Sequence, residues 1–185
     1  MRRTIVEPAD TSGQALIDLK AWLGINRPNE DQLLTGLLDT ALATCEAFTG
    51  QAPLLQLVEE RLDVRAGRSF LLSRPVTALV SVEIVAQDGS RTPLDAADFQ
   101  FALDASGCAS FNLLTDTDGQ AIAVRVQTGL GAVWEDIPAP LKQGMIRLSA
   151  FQYRDRDRPG GTKNASLPPA SVSALWRQWR TMRIA

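Results

Sequence analysis

Histidine is absent from the 185 residues. It is the usual general base near neutral pH and a frequent metal ligand, so Ser-His-Asp, Cys-His and His-based zinc chemistry are excluded together. Cysteine is scarce. Cys45 and Cys108 lie far apart and neither belongs to a CxxC pair, so the sequence carries no thiol redox motif and calls for no oxidising compartment. Cys45 falls among apolar helix positions and reads as a small buried hydrophobe. Long apolar runs are missing too: no stretch approaches the ~20 residues that cross a bilayer. The first residues, MRRTIVEPAD, have two arginines but no apolar segment after them, unlike a secretory signal. The expectation is a cytoplasmic protein without a membrane partner.

What is present is ordinary in bulk and uneven in placement. Hydrophobic residues make up 45% and charged residues 22%, a composition that folds around a core. The length suits one domain plus an appendage. The net charge of −2 hides an asymmetry. From Arg154 onward there are seven basic and two acidic residues, against twelve and nineteen before it. An acidic body with a basic tail implies that the tail meets something acidic.

The apolar pattern predicts a helix from Thr11 or Ser12 to Leu23, stopped by Gly24. A second, capped by Asn29, carries the stripe Leu33, Leu34, Leu37, Leu38, Ala41, Leu42, Cys45 and Phe48 and ends at Gly50. The pair reads as an antiparallel hairpin. Five or six short strands follow, around 55–64, 69–72, 80–86, 99–103, 111–113 and 122–126, forming a small antiparallel sheet. After Pro138 and Pro140, Leu141, Met145, Leu148 and Phe151 share a helix face. The helices are expected to pack through Leu33, Leu37, Leu38, Leu42, Phe48, Met145 and Leu148. The run Arg154 to Gly161 offers nothing to bury and reads as a boundary. Beyond it, Ser171 caps a short helix.

Several patterns that suggest chemistry dissolve on inspection. Asp116-x-Asp118-Gly119 begins like a calcium loop, but loop positions six and twelve hold Ala121 and Gln127, so a hairpin turn is the better reading. Gly129-Leu130-Gly131 lacks the lysine of a phosphate loop. Glu59 and Glu60 are adjacent in a strand and point to opposite faces; both are expected on a solvated edge. Asp95 and Asp98 read as turn and cap residues. No catalytic residue, metal or cofactor is expected.

The tail differs. Val172, Leu175, Trp176 and Trp179 recur at i, i+3, i+4 and i+7, with Arg177, Arg180 and Arg183 on another face. Tryptophan and arginine are the usual anchors of interfaces. The alternative is a terminal helix packed back onto its own body. A third reading puts the arginines on nucleic-acid phosphates.

The order of these features resembles the head–tail connector (adaptor) proteins of long-tailed phages and phage-like gene transfer agents. The matching residues are ALIDLKAWLGI at 15–25, Asn29-Glu30-Asp31, and Glu46 to Gln51 at the end of the leucine-rich helix. They continue with Leu72-Ser73-Arg74-Pro75-Val76, VRVQTGLG at 124–131, IPAPLK at 137–142, Tyr153-Arg154 and Leu167-Pro168-Pro169. The two tail tryptophans and the extra basic residues depart from the family's pattern.

The resemblance implies an α+β fold: a helical hairpin and a C-terminal body helix packed as a small bundle, with an antiparallel β insertion and an extended tail. The body would span 1–153 (helices 11–50, β region 54–131, helix 140–154) and the docking tail 154–185. It implies a ring, usually of twelve copies, beneath the portal protein in the particle neck. Such a ring extends the channel for passing double-stranded DNA and offers a platform to the next head-completion or tail component. Tail contacts with the portal would come from Leu167, Pro168, Pro169, Leu175, Trp176, Arg177, Trp179, Arg180 and Arg183. The alternative function is a basic-tailed nucleic-acid-binding module. An enzyme working through carboxylates would need converging acids in a pocket.

Overall fold

The computed structural model describes residues 2–63, 68–115, 120–156 and 168–180. The chain divides into two compact units. One joins Met1–Ala9 to Leu55–Gly129 and is built of strands; the other joins Asp10–Leu54 to Leu130–Ala185 and is helical. The division differs from the expected body and tail: the C-terminal segment belongs to the helical unit.

In the helical unit, α1 (Gln14–Leu23) ends at Gly24 and α2 (Asp31–Thr49) ends at Gly50, both glycines at positive φ (74° and 75°). That left-handed turn is what glycine permits and a β-carbon resists. Neither helix start uses a side-chain cap. Thr11 instead donates to Asp39, and Asn29 sits in a single 3-10 turn, Pro28–Glu30. Thr11–Asp39 and the Lys20–Asp31 ion pair (2.6 Å) run in opposite senses along the two helices, so the hairpin is antiparallel.

A third helix, α3 (Ala139–Asp155), packs on α2, and a short α4 (Ala170–Trp176) packs on α3. The core is Ala15 and Leu19 from α1, Leu34, Leu38, Ala41, Leu42 and Cys45 from α2, and Leu141, Met145 and Leu148 from α3. This corrects the expected stripe. Leu33 is 41% exposed, while Leu37 and Phe48 are half-buried. The buried phase runs through Leu34 and ends at Thr49, whose hydroxyl donates to the Cys45 carbonyl at 2.8 Å. Leu33 stands about 100° around the helix from Leu34 and falls outside it.

Among the described residues, the strand unit has eight strands in two antiparallel sheets, where one sheet of five or six was expected. The larger orders β1 (Arg2–Glu7), β2 (Gln56–Asp63), β8 (Ala121–Thr128), β4 (Val76–Val85) and β5 (Arg91–Pro93). The smaller orders β3 (Arg68–Phe70), β7 (Ala109–Leu113) and β6 (Phe99–Leu103). The split has a local cause. After the Asp88–Gly89 turn only three residues pair back on β4. A 3-10 turn at Ala96–Asp98, capped by the Asp95 carboxylate accepting from the Ala97 N–H, then leads directly into β6. The unit's core is apolar, with Val58, Leu71, Val82, Phe111, Ile122, Val124 and Val126.

Glu59 and Glu60 are not solvated; β2 is an inner strand and both are buried. Glu60 shares a face with Val58 and Leu62 and accepts the Leu72 and Ser73 N–H groups, each at 2.7 Å. On the opposite face, Glu59 accepts from Arg91 at 2.7 Å and Arg125 at 3.0 Å, and Arg91 also reaches Glu83 at 2.9 Å.

Candidate partner-binding surface

The tail segment was expected to supply the anchors, and its described part is a helix fastened to its own unit. Pro168 and Pro169 are half-buried, and α4 starts at Ala170, with Pro169 in the cap position where Ser171 was expected. Val172 and Trp176, one turn apart, face inward and are buried. Trp176 lies against Gly144 of α3, where a β-carbon would collide with the indole: its Cε2 would be only 2.7 Å away. The indole N–H donates to the Leu141 carbonyl at 3.3 Å, and the ring meets Phe48 at 5.9 Å between centroids. Trp176 therefore serves the fold: the reading of the helix packed on its own body applies to it, and a partner cannot reach it in this conformation.

The other expected contact residues are more accessible. Leu175 and Trp179 are half-buried; Arg177 and Arg180 are exposed. The Arg180 guanidinium lies 5.2 Å from the Phe48 ring centroid, and Gln51 donates to the Trp179 carbonyl at 2.6 Å. Leu167, Arg183, the boundary glycines Gly160 and Gly161, and the expected turn at Asp116–Gly119 lie outside the described residues.

A second feature of the helical unit escaped the sequence reading. Trp22, Arg147, Phe151, Arg154, Pro169 and Val172 line a surface cleft of about 260 Å³. Trp22 is 46% exposed, and the Arg147 guanidinium lies 6.0 Å from its centroid. Arg147 and Arg154 are exposed and, among the described residues, have no acidic partner. Trp22 was legible as a helix residue, but its exposure depends on the phase of α1, whose buried residues are Ala15 and Leu19.

The titratable groups suit structure better than catalysis. Burial pushes the Cys45 thiol up to about 12, so it is not a nucleophile. The Arg91 guanidinium holds Glu59 down to about 2, against the opposing cost of its burial and with help from Arg125. Hydrogen bonds from Tyr153 and then Arg156 lower Glu30. Among the described residues no three histidine, cysteine, aspartate or glutamate side chains gather as a metal site would need.

No family model matches the sequence, and no curated protein does. Solved structures do. A chain in the neck of an empty GTA particle, computed with C6 symmetry, superposes with a TM-score of 0.79 at 23% identity, covering 100% of this chain and 98% of that one. The fold is that of a gene transfer agent neck chain. A chain in the virion of the native gene transfer agent particle matches at 0.76, and one in the native neck computed with C12 symmetry at 0.75, with the same identity and coverage. At the level of fold, these neighbours agree with the resemblance to head–tail connectors and with the α+β class.

Proposed function

We propose that this chain is a structural head–tail connector subunit that forms a ring beneath the portal of a phage-like particle. The observation that carries the reading is the end-to-end correspondence with neck chains: the fold is shared over 100% of this chain and 98% of the other. The six- and twelvefold symmetry of those necks supports a ring of copies. The buried thiol and tightly paired carboxylates suit a chain that binds and does no bond-breaking chemistry.

In this reading the ring extends the DNA channel and offers the platform for the next tail component. The portal contact falls to the exposed basic end, Arg177 and Arg180, with Pro168, Pro169, Leu175 and Trp179 beside them and Leu167 and Arg183 flanking. Trp176 holds that end in place from within. Many weak contacts around one ring add to a firm attachment.

The test is electron microscopy of particles from cells in which the gene is disrupted. The expected result is filled or leaking heads without tails, restored by the intact gene. Normal tailed particles from the disrupted cells would refute the reading. If duplex DNA instead binds the isolated subunit tightly and salt-dependently at physiological ionic strength, the nucleic-acid-binding reading takes its place.

A further inference from the structure

The Trp22–Arg147–Arg154 cleft joins an apolar floor to a basic rim. Its floor is apolar, from Phe151, Pro169 and Val172, and its tryptophan is 46% exposed. Arg147 and Arg154 are seven residues apart on α3, two turns along one face and about 10 Å along the axis. Of the unit's other cations, the half-buried Lys20 pairs with Asp31 and the exposed Arg156 with Glu30. Neither arginine has an ion-pair partner among the described residues; Arg147 lies over the Trp22 ring. An apolar floor with a tryptophan and arginines free of ion pairs at the rim is the composition of an interface centre.

The same unit carries the matching half. Just before α3, Val133 is 53% exposed. Glu135 and Asp136 follow it in a single 3-10 turn, Trp134–Asp136, and both are exposed. Neither carboxylate has an ion-pair partner among the described residues; Lys142 reaches only the Glu135 carbonyl, at 2.9 Å. The turn is held rigidly, because Trp134 is buried and its indole N–H donates to the Asp18 carboxylate at 2.9 Å. The unit thus presents one apolar side chain beside two unpaired acids, and an apolar cleft beside two unpaired bases.

We propose that the cleft of one copy receives the Val133–Glu135–Asp136 turn of the next. Val133 covers the apolar floor, while Glu135 and Asp136 pair with Arg147 and Arg154. The two patches are different surfaces of the chain, so the contact is head-to-tail, the type that closes into rings. The proposal rests on the ring reading above and names the surface that would build it.

Charge reversal in two separate chains tests it. One variant carries Arg147→Glu with Arg154→Glu, the other Glu135→Arg with Asp136→Arg; all four positions are exposed, and circular dichroism checks that each variant folds. Sedimentation velocity at low salt and rising concentration is then run on the wild type, each variant and their equal mixture. The wild type is expected to self-associate and each variant alone to stay monomeric. The mixture should associate again, because the acidic turn of the first variant fits the native cleft of the second, and the basic turn of the second fits the reversed cleft of the first. Variants that associate like the wild type, a mixture that stays monomeric, or a wild type that never associates would each overturn the contact. The same variants are expressed in the gene-disrupted cells. If the disruption removes tails but both variants restore them, the contact is wrong and the neck reading stands. If the disruption leaves tails intact, the neck reading fails, whatever the sedimentation shows.

Discussion

Glu59 and Glu60 show how two adjacent carboxylates with the same chemistry do different work. Glu60 ties the segment after β3 to β2 through two backbone N–H groups. A buried N–H left without its acceptor costs ~1–3 kcal/mol, so Glu60→Ala, which removes the acceptor of two, should cost the strand unit roughly 3 kcal/mol. Urea unfolding followed by far-ultraviolet circular dichroism measures it. Tryptophan fluorescence does not, since Trp22, Trp134, Trp176 and Trp179 all lie in the helical unit. Glu59 gives a pH dependence. Its folded pKa of about 2 lies below its ordinary 4.5, chiefly through Arg91. A depressed carboxylate adds stability that is fully present above its unfolded pKa and is lost as pH falls toward the folded one. The strand unit should therefore weaken as pH drops from about 4.5 to about 2. Glu59→Gln should be less stable at neutral pH and change less across that window; parallel acid-unfolding curves for the two proteins would contradict this. The sequence showed that the pair faces opposite ways. It did not show that β2 is an inner strand, because strand order depends on long-range pairing that alternation does not encode.

At the scale of elements, helices were legible where local rules act alone. The Gly24 and Gly50 stops and the start of α3 after Pro138 fell where the sequence put them. The phase of α2 was not, since Leu33 and Leu34 are adjacent leucines and only packing decides which is inside. Strand β1 was missed because RRTIVE is almost wholly exposed and shows no buried alternation. β5 was missed because it has three residues. For α4, the charged run before it suggested a detachable tail, while the signal against detachment lay in α3. Gly144 interrupts a good helix pattern, and it does so where Trp176 needs room. Gly144→Ala should thus destabilise the helical unit despite the ~1 kcal/mol that alanine adds to a helix. Overpacking costs ~1–3 kcal/mol, and the Trp176 emission should shift to the red as α4 lifts. Trp176→Ala should cost ~3–5 kcal/mol by emptying the same site. Unchanged melting in both variants would show that α4 is not fastened there. It follows that loss of portal attachment by Trp176→Ala says little about contact. Arg177→Glu with Arg180→Glu is the cleaner probe, expected to weaken portal binding while lowering the melting temperature far less than Trp176→Ala, since it removes only the Arg180–Phe48 contact.

For the whole molecule, the fold was legible through the order of segments and not through any motif. Each matching segment is a few common residues, yet their sequence along the chain led to the fold that the neck chains share. The surface was less legible: exposure of Trp22 and burial of Trp176 are tertiary facts about two tryptophans that look alike in the sequence. The central claim is that copies of this chain ring a portal. The most direct measurement is an electron-microscopic reconstruction of the purified chain mixed with its portal. The expected result is a continuous ring of added density at one end of the portal, coaxial with its channel, into which this fold fits once per subunit. Bare portal in the presence of excess folded chain would contradict it.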